Sequence, residues 1–136
     1  MRRLRSAVTC SALALLAALT LATTAVPAQA VLPSKLILSV YKGQTADPAS
    51  LQRTAILTCD PDGGTHPQPV KACGALRSVN GYIAKLPGNP DIFCPLIFDP
   101  RTATAKGTWR GRPVRFQHTY GNDCELHRAS TPVFDF

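Results

Sequence analysis

The number and placement of cysteines constrain this chain more than any other feature. Cys59, Cys73, Cys94 and Cys124 form an even set within a chain of 136 residues. A fifth, Cys10, lies in a segment of a different kind. Arg2, Arg3 and Arg5 open the chain, an apolar run extends from about Ser11 to Val26, and Pro27-Ala28-Gln29-Ala30 puts small residues where a signal peptidase cuts. This pattern predicts a secretory signal over 1–30, cleaved after Ala30, and one mature domain over 31–136. A membrane anchor is the competing reading. It is weaker because an A-x-A site ends the run and no basic stop-transfer cluster follows, so no membrane association is expected after cleavage. In an oxidising extracellular setting the four remaining cysteines mean two disulfides, with three pairings open. A bridge closing the Cys59 to Cys73 segment would contribute about 3 kcal/mol in the loop-entropy model. Zinc is the other use of such residues, but there is no C-x-x-C pair, and His66, His118 and His127 show no ligand spacing. No metal or cofactor is expected.

The leader takes three of the fifteen basic residues and none of the eight acidic ones, so the mature domain is only mildly basic. Arg110, Arg112 and Arg115 cluster without interleaved aromatics, which reads as a solvated hairpin and not as a nucleic-acid surface.

Residues 34–42, SKLILSVYK, alternate with period two, and 52–59, QRTAILTC, read as a second strand pairing antiparallel with the first across a polar loop. Asp60 to Pro69 holds three prolines and two glycines and reads as irregular. From Val70 the period changes. Ala72, Leu76, Val79, Ile83 and Leu86 fall on one helical stripe, stopped by Pro87-Gly88, with Gly74 and Gly81 each weakening the helix by about 1 kcal/mol relative to Ala. Residues 102–109 and 112–120 read as strands joined by a tight turn at Arg110-Gly111. Val114, Phe116, His118 and Tyr120 share one face of the second of these. Asn122 to Ala129 has the look of a short helix, and the apolar tail STPVFDF that of a last strand. The sum is an α+β domain, a mostly antiparallel sheet with one main helix on a face.

Ile92 to Pro100, IFCPLIFDP, is the segment that fits least well. It is strongly apolar, yet its prolines argue against a central strand. It is either an edge strand packed on the core or an exposed loop. As a loop, Cys94 would tie it to the body and Pro95 would fix φ near −65°. Leu96 would then enter a protease's primary specificity pocket, Phe93 a second apolar pocket, and Ile97 would follow the scissile bond, with Phe98 beyond it. A stiff loop loses little entropy on entering a protease cleft. Cleavage at Leu96 would be reversed because the clamped ends cannot separate.

These residues resemble the Streptomyces subtilisin inhibitor family. The stretch CDPDGGTHPQPVKACGAL, Cys59 to Leu76, is similar to the family signature, and CPLIFDP, Cys94 to Pro100, to its reactive loop. GTWRGRPV, NDCEL at Asn122 to Leu126, and the terminal VFDF match in order. The resemblance covers essentially all of the mature chain. It implies the pairings Cys59–Cys73 and Cys94–Cys124 and a reactive bond between Leu96 and Ile97. It also implies a five-stranded antiparallel sheet with a long and a short helix, and a homodimer formed through the sheet face. The implied partner is a subtilisin-like serine protease, inhibited reversibly in the manner of a substrate. Leu96 suits subtilisin-like and chymotrypsin-like pockets and offers trypsin no charge to pair with. Two further readings stand beside this one: a main target among secreted metalloproteases, engaged from the Ile97 side, and a non-inhibitory extracellular binding protein. An enzyme is not expected. His66 reads as a loop histidine bonded to backbone, Trp109 as sheet packing, and Asp123, His127 and Ser130 as neighbours that nothing arranges into a triad.

Overall fold

The computed structural model describes residues 30–136, so the leader expected over 1–30 lies, but for Ala30, outside the described residues. Alternation of apolar and polar residues builds four long strands: β1 (Ser34–Lys42), β2 (Leu51–Cys59), β4 (Arg101–Trp109) and β5 (Arg112–Tyr120). A two-residue strand, β3 (Gly63–Gly64), completes an antiparallel sheet in the order β3-β2-β1-β4-β5. β3 falls in the segment expected to be irregular. Gly64, at φ 97°, is one of the two residues that let the chain double back against β2, where Leu57 pairs with Gly64.

On one side of the sheet Leu36, Leu38, Val40, Leu57, Ala103 and Ala105 are buried. They meet Ala72, Cys73 and Leu76 of helix α1 (Pro69–Ser78), Leu126 of α2 (Asp123–Ser130), and Val133 and Phe134 of the tail in one continuous core. The layers are therefore sheet and helices, with both helices on the same face, and the other face is open.

Two expectations need correction. The main helix does not run to Leu86. It ends at Ser78 in a Schellman arrangement: Asn80 N–H donates to Arg77 O (3.1 Å), Gly81 N–H donates to Leu76 O (2.7 Å), and Asn80 and Gly81 both take left-handed φ (51° and 74°). The Asn-Gly pair is the signal that marks this stop. Ile83 stays buried because one turn of 3-10 helix, Ile83–Lys85, carries the stripe onward at a new angle. A Cβ at Gly81 would also collide with the buried Trp109 ring, so the backbone has to pass this close. The second correction is the tail, which is not a strand. Thr131 N–H bonds to His127 O and Val133 N–H to Ser130 O, so the chain turns back on α2. Val133 and Phe134 are buried by that turn without any sheet pairing.

Both disulfides follow the implied pairing. Cys59–Cys73 joins the end of β2 to α1, and Cys94–Cys124 joins the loop after the 3-10 turn to the first turn of α2.

Candidate functional site

The loop from Asn89 to Pro100 stands clear of the core, which decides between the two readings of this segment. Leu96 is fully exposed (103%), with Phe93 at 93%, Phe98 at 72% and Ile97 at 60%. Four large apolar side chains in water within six residues run against the usual balance of burial. Pro95 is exposed and Cys94 half-buried through its bond to Cys124.

The backbone of this exposed loop is held from beneath. Asn122 is buried and lies under Leu96. Its Nδ2 donates to Pro95 O (3.1 Å) and to Ile97 O (2.9 Å), the carbonyls on either side of Leu96. Its Oδ1 accepts from Glu125 N–H (2.9 Å), so the same side chain is the N-cap of α2. Glu125 closes the arrangement by accepting from Gly121 N–H through Oε2 (3.0 Å), in the manner of a capping box. Gly121 O in turn accepts from Asp99 N–H (2.9 Å). The loop, the start of α2 and the end of β5 are thereby one hydrogen-bonded unit.

Two further contacts place that unit. Arg53 of β2 meets Asp123 with Nη2 at 2.7 Å from Oδ1 and Nη1 at 3.4 Å from Oδ2, fixing α2 against the sheet. At the far end of the loop Arg101 donates through Nη1 to Asp99 O (2.9 Å) and Pro100 O (3.0 Å), and through Nη2 to the Asp99 carboxylate (2.8 Å). The Arg101 hydrogen bond holds Asp99 below the ordinary carboxylate range, and Asp99 raises Arg101 in return.

Asn122 was singled out in the sequence only as part of a family motif. Nothing in its position foretells that its amide reaches two carbonyls more than twenty residues earlier. The N-cap signal, Asn three residues before Glu, was legible.

The other weighed residues have structural roles. His66 is buried, with Nε2 3.1 Å from Val133 O, and it accepts from Gln68 N–H at Nδ1 (3.0 Å). These partners set the neutral Nε2–H tautomer, and burial pushes its pKa down. Asp123, His127 and Ser130 do not form a triad. His127 Nδ1 bonds to Asp135 (2.6 Å), and the Ser130 hydroxyl is spent on Leu126 O (2.6 Å). Cys59, Asp62 and Cys73 lie close together, but the two sulfurs are bonded to each other, which removes them as ligands.

Known proteins match this arrangement. The family model described as Subtilisin inhibitor-like matches residues 32–122, more than half of the chain. Subtilisin inhibitor-like protein 5 of Streptomyces fradiae is 47% identical over 105 residues, 76% of this chain and 98% of that protein. The subtilisin inhibitor of Streptomyces albogriseolus is 38% identical over 105 residues, 76% of this chain and 73% of that protein. Among solved structures, Streptomyces caespitosus sermetstatin, crystallised in complex with Bacillus licheniformis subtilisin, superposes with a TM-score of 0.67. It has 36% identity, and the match covers 76% of this chain and 99% of that one. With the sheet order, both disulfides and the raised loop already in place, this agreement in sequence and structure shows that the chain belongs to the subtilisin inhibitor-like family.

Proposed function

We propose that the protein is a secreted inhibitor of subtilisin-type serine endopeptidases and that the Leu96–Ile97 peptide bond is its reactive bond. The observation that carries this is Leu96 itself: a fully exposed apolar side chain whose flanking carbonyls are both pinned by Asn122. Such a loop meets an enzyme already in an extended shape, so little ordering entropy is lost on binding. Leu96 fills the primary pocket, Phe93 a second apolar pocket, and Ile97 and Phe98 lie beyond the bond. Cleavage leaves both new ends in place, held by Cys94–Cys124 on one side and by Asn122 on the other, so re-formation of the bond competes with release.

The outer sheet face supports a homodimer. Ile37 is half-exposed there and pairs in register with Ile56. The face is flat and lies opposite the helices, so pairing of two copies would leave both loops free. A signal peptide cleaved after Ala30 delivers the domain outside the cell, where its two disulfides persist.

The decisive experiment is titration of oxidised 31–136 against subtilisin, with trypsin alongside, following a small chromogenic substrate. Stoichiometric inhibition of subtilisin and weak inhibition of trypsin is the expected result. Leu96→Asp should cost several kcal/mol of binding. If folded protein leaves subtilisin untouched, the reading fails. Dominance of Ile97 over Leu96 substitutions against a metalloprotease would then favour that target class, and indifference to both would favour a non-inhibitory binding protein.

A further inference from the structure

The inference concerns Arg101 and rests on the reading of Leu96–Ile97 as the reactive bond. In that reading the protease serine oxygen adds to the Leu96 carbonyl carbon. The Leu96 C–Ile97 N bond breaks, and the serine proton passes through the protease's histidine to the departing nitrogen. The products are an ester on Leu96 and a free amine on Ile97. Attack by that amine restores the inhibitor, whereas attack by water on the ester releases it in cut form. Which outcome prevails depends on how well the Ile97 amine is kept beside the ester.

The two halves of the loop are held by different means. The Leu96 side is tethered covalently, two residues away, by Cys94–Cys124. The Ile97 side has no covalent tether before β4 begins at Arg101. Its span, Ile97 to Pro100, is held by four contacts: Asn122 on Ile97 O, Asp99 N–H on Gly121 O, Gly43 N–H on Pro100 O (2.8 Å), and the Arg101 guanidinium. The last of these is the most extensive. One planar group bonds the Asp99 carbonyl, the Pro100 carbonyl and the Asp99 carboxylate. The Arg101 side chain is only 13% exposed although it sits beside an exposed loop, and its own backbone is anchored between Lys42 and Tyr120 in the sheet. A brace of this form runs from rigid sheet to the half of the loop that cleavage would set loose.

We propose that Arg101 is a positioning residue that holds the Ile97–Pro100 half in place after cleavage and thereby sets the balance between bond re-formation and release. Lysine cannot reproduce it, because one ammonium does not present the planar fork that spans two carbonyls and a carboxylate.

The test uses the oxidised mature protein as wild type, Arg101→Ala, Arg101→Lys and Asp99→Asn. Each is incubated with a catalytic amount of subtilisin until the ratio of cut to intact inhibitor is constant, read by mass spectrometry and approached from both directions. Arg101→Ala should raise that ratio about tenfold and shorten the lifetime of stoichiometric inhibition, while initial inhibition changes only a few-fold. Arg101→Lys should recover part of the loss. Asp99→Asn, which keeps both carbonyl acceptors, should shift the ratio less and in the same direction. A loss of global stability shared by cut and intact forms would not move this ratio. Unchanged ratio and lifetime in Arg101→Ala would overturn the proposal. If that variant does not fold, unchanged ratios in both Arg101→Lys and Asp99→Asn would overturn it equally. A wild type that fails to inhibit, or is cut elsewhere, overturns the underlying reading and this proposal with it. A wild type cut at Leu96–Ile97 with an indifferent Arg101 overturns the role of Arg101 alone.

Discussion

Asn122 serves a helix and a loop at once, and its two roles can be separated by substitution. Asn122→Ala removes both and should cost about 1 kcal/mol of stability through the lost N-cap, together with a large loss of inhibition. Asn122→Asp keeps the acceptor for Glu125 N–H and places a negative charge favourably at a helix N-terminus. It also turns a carboxylate oxygen toward the Pro95 and Ile97 carbonyls in place of two donors. Its thermal midpoint should therefore stay near wild type while inhibition of subtilisin weakens about 10- to 100-fold, a split that melting and inhibition titration together would reveal. His66 gives a second prediction at this scale. Burial holds its folded pKa below the ordinary value, so the unfolded chain takes up the proton first as pH falls. Its contribution to stability is complete above about pH 6.5 and declines as pH falls through the window beneath. Protonation would also set a donor against Gln68 N–H. Melting at pH 7.5 and pH 5 should show a loss at the lower pH that shrinks in His66→Asn. The carboxylates of Asp60, Asp62 and Asp99, each lowered chiefly by a hydrogen bond from arginine, act only in a separate window below about pH 4. Of these residue-level features, the bare identity of the loop residues was legible in the sequence. The amide clamp was not, because side-chain reach across twenty-five or more residues depends on tertiary placement that no local pattern encodes.

At the scale of elements, the strands were readable almost to the residue because one face of each is buried and period two leaves little freedom of register. The helix was overextended because its stripe continues through a real break. Ile83 and Leu86 keep facing the core after the chain has left the helix, so periodicity alone could not find the end. The terminator was present as Asn80-Gly81, and it can be tested. Gly81→Ala puts a methyl into the Trp109 ring and strains a left-handed φ, so it should destabilise by about 2–3 kcal/mol, seen as a lower urea midpoint with little change in the loop's inhibition. The tail failed as a strand for a related reason. Its apolar residues are satisfied by a turn against α2, and burial does not by itself imply sheet pairing. The fifth strand was instead a pair of glycines, which carry no side-chain pattern to read.

Across the whole molecule, the sheet divides the protein into a face that makes the core and a face that stays in water. The open face carries Lys35, Lys106 and Arg115, with Lys106 directly opposite Arg115, and the apolar pair Ile37–Ile56. A dimer through this face must centre on the apolar pair and keep the cations toward its rim, since like charges brought together would oppose it. Ile37→Asp should therefore yield a monomer by analytical ultracentrifugation that still titrates subtilisin one to one per chain. The helices and both disulfides lie on the other side of the sheet or beyond its end, so the loop does not need the second copy for its support.

Because the Leu96 side chain touches nothing in its own molecule, the fold has no stake in what residue stands there. Leu96→Gly or Leu96→Lys should melt within about 0.5 kcal/mol of wild type, even though one abolishes inhibition and the other redirects it toward trypsin. For a lineage in contact with changing proteases, this is a position where heritable change is cheap. A single base substitution could retarget the inhibitor without a compensating mutation elsewhere, and selection would act there on recognition alone.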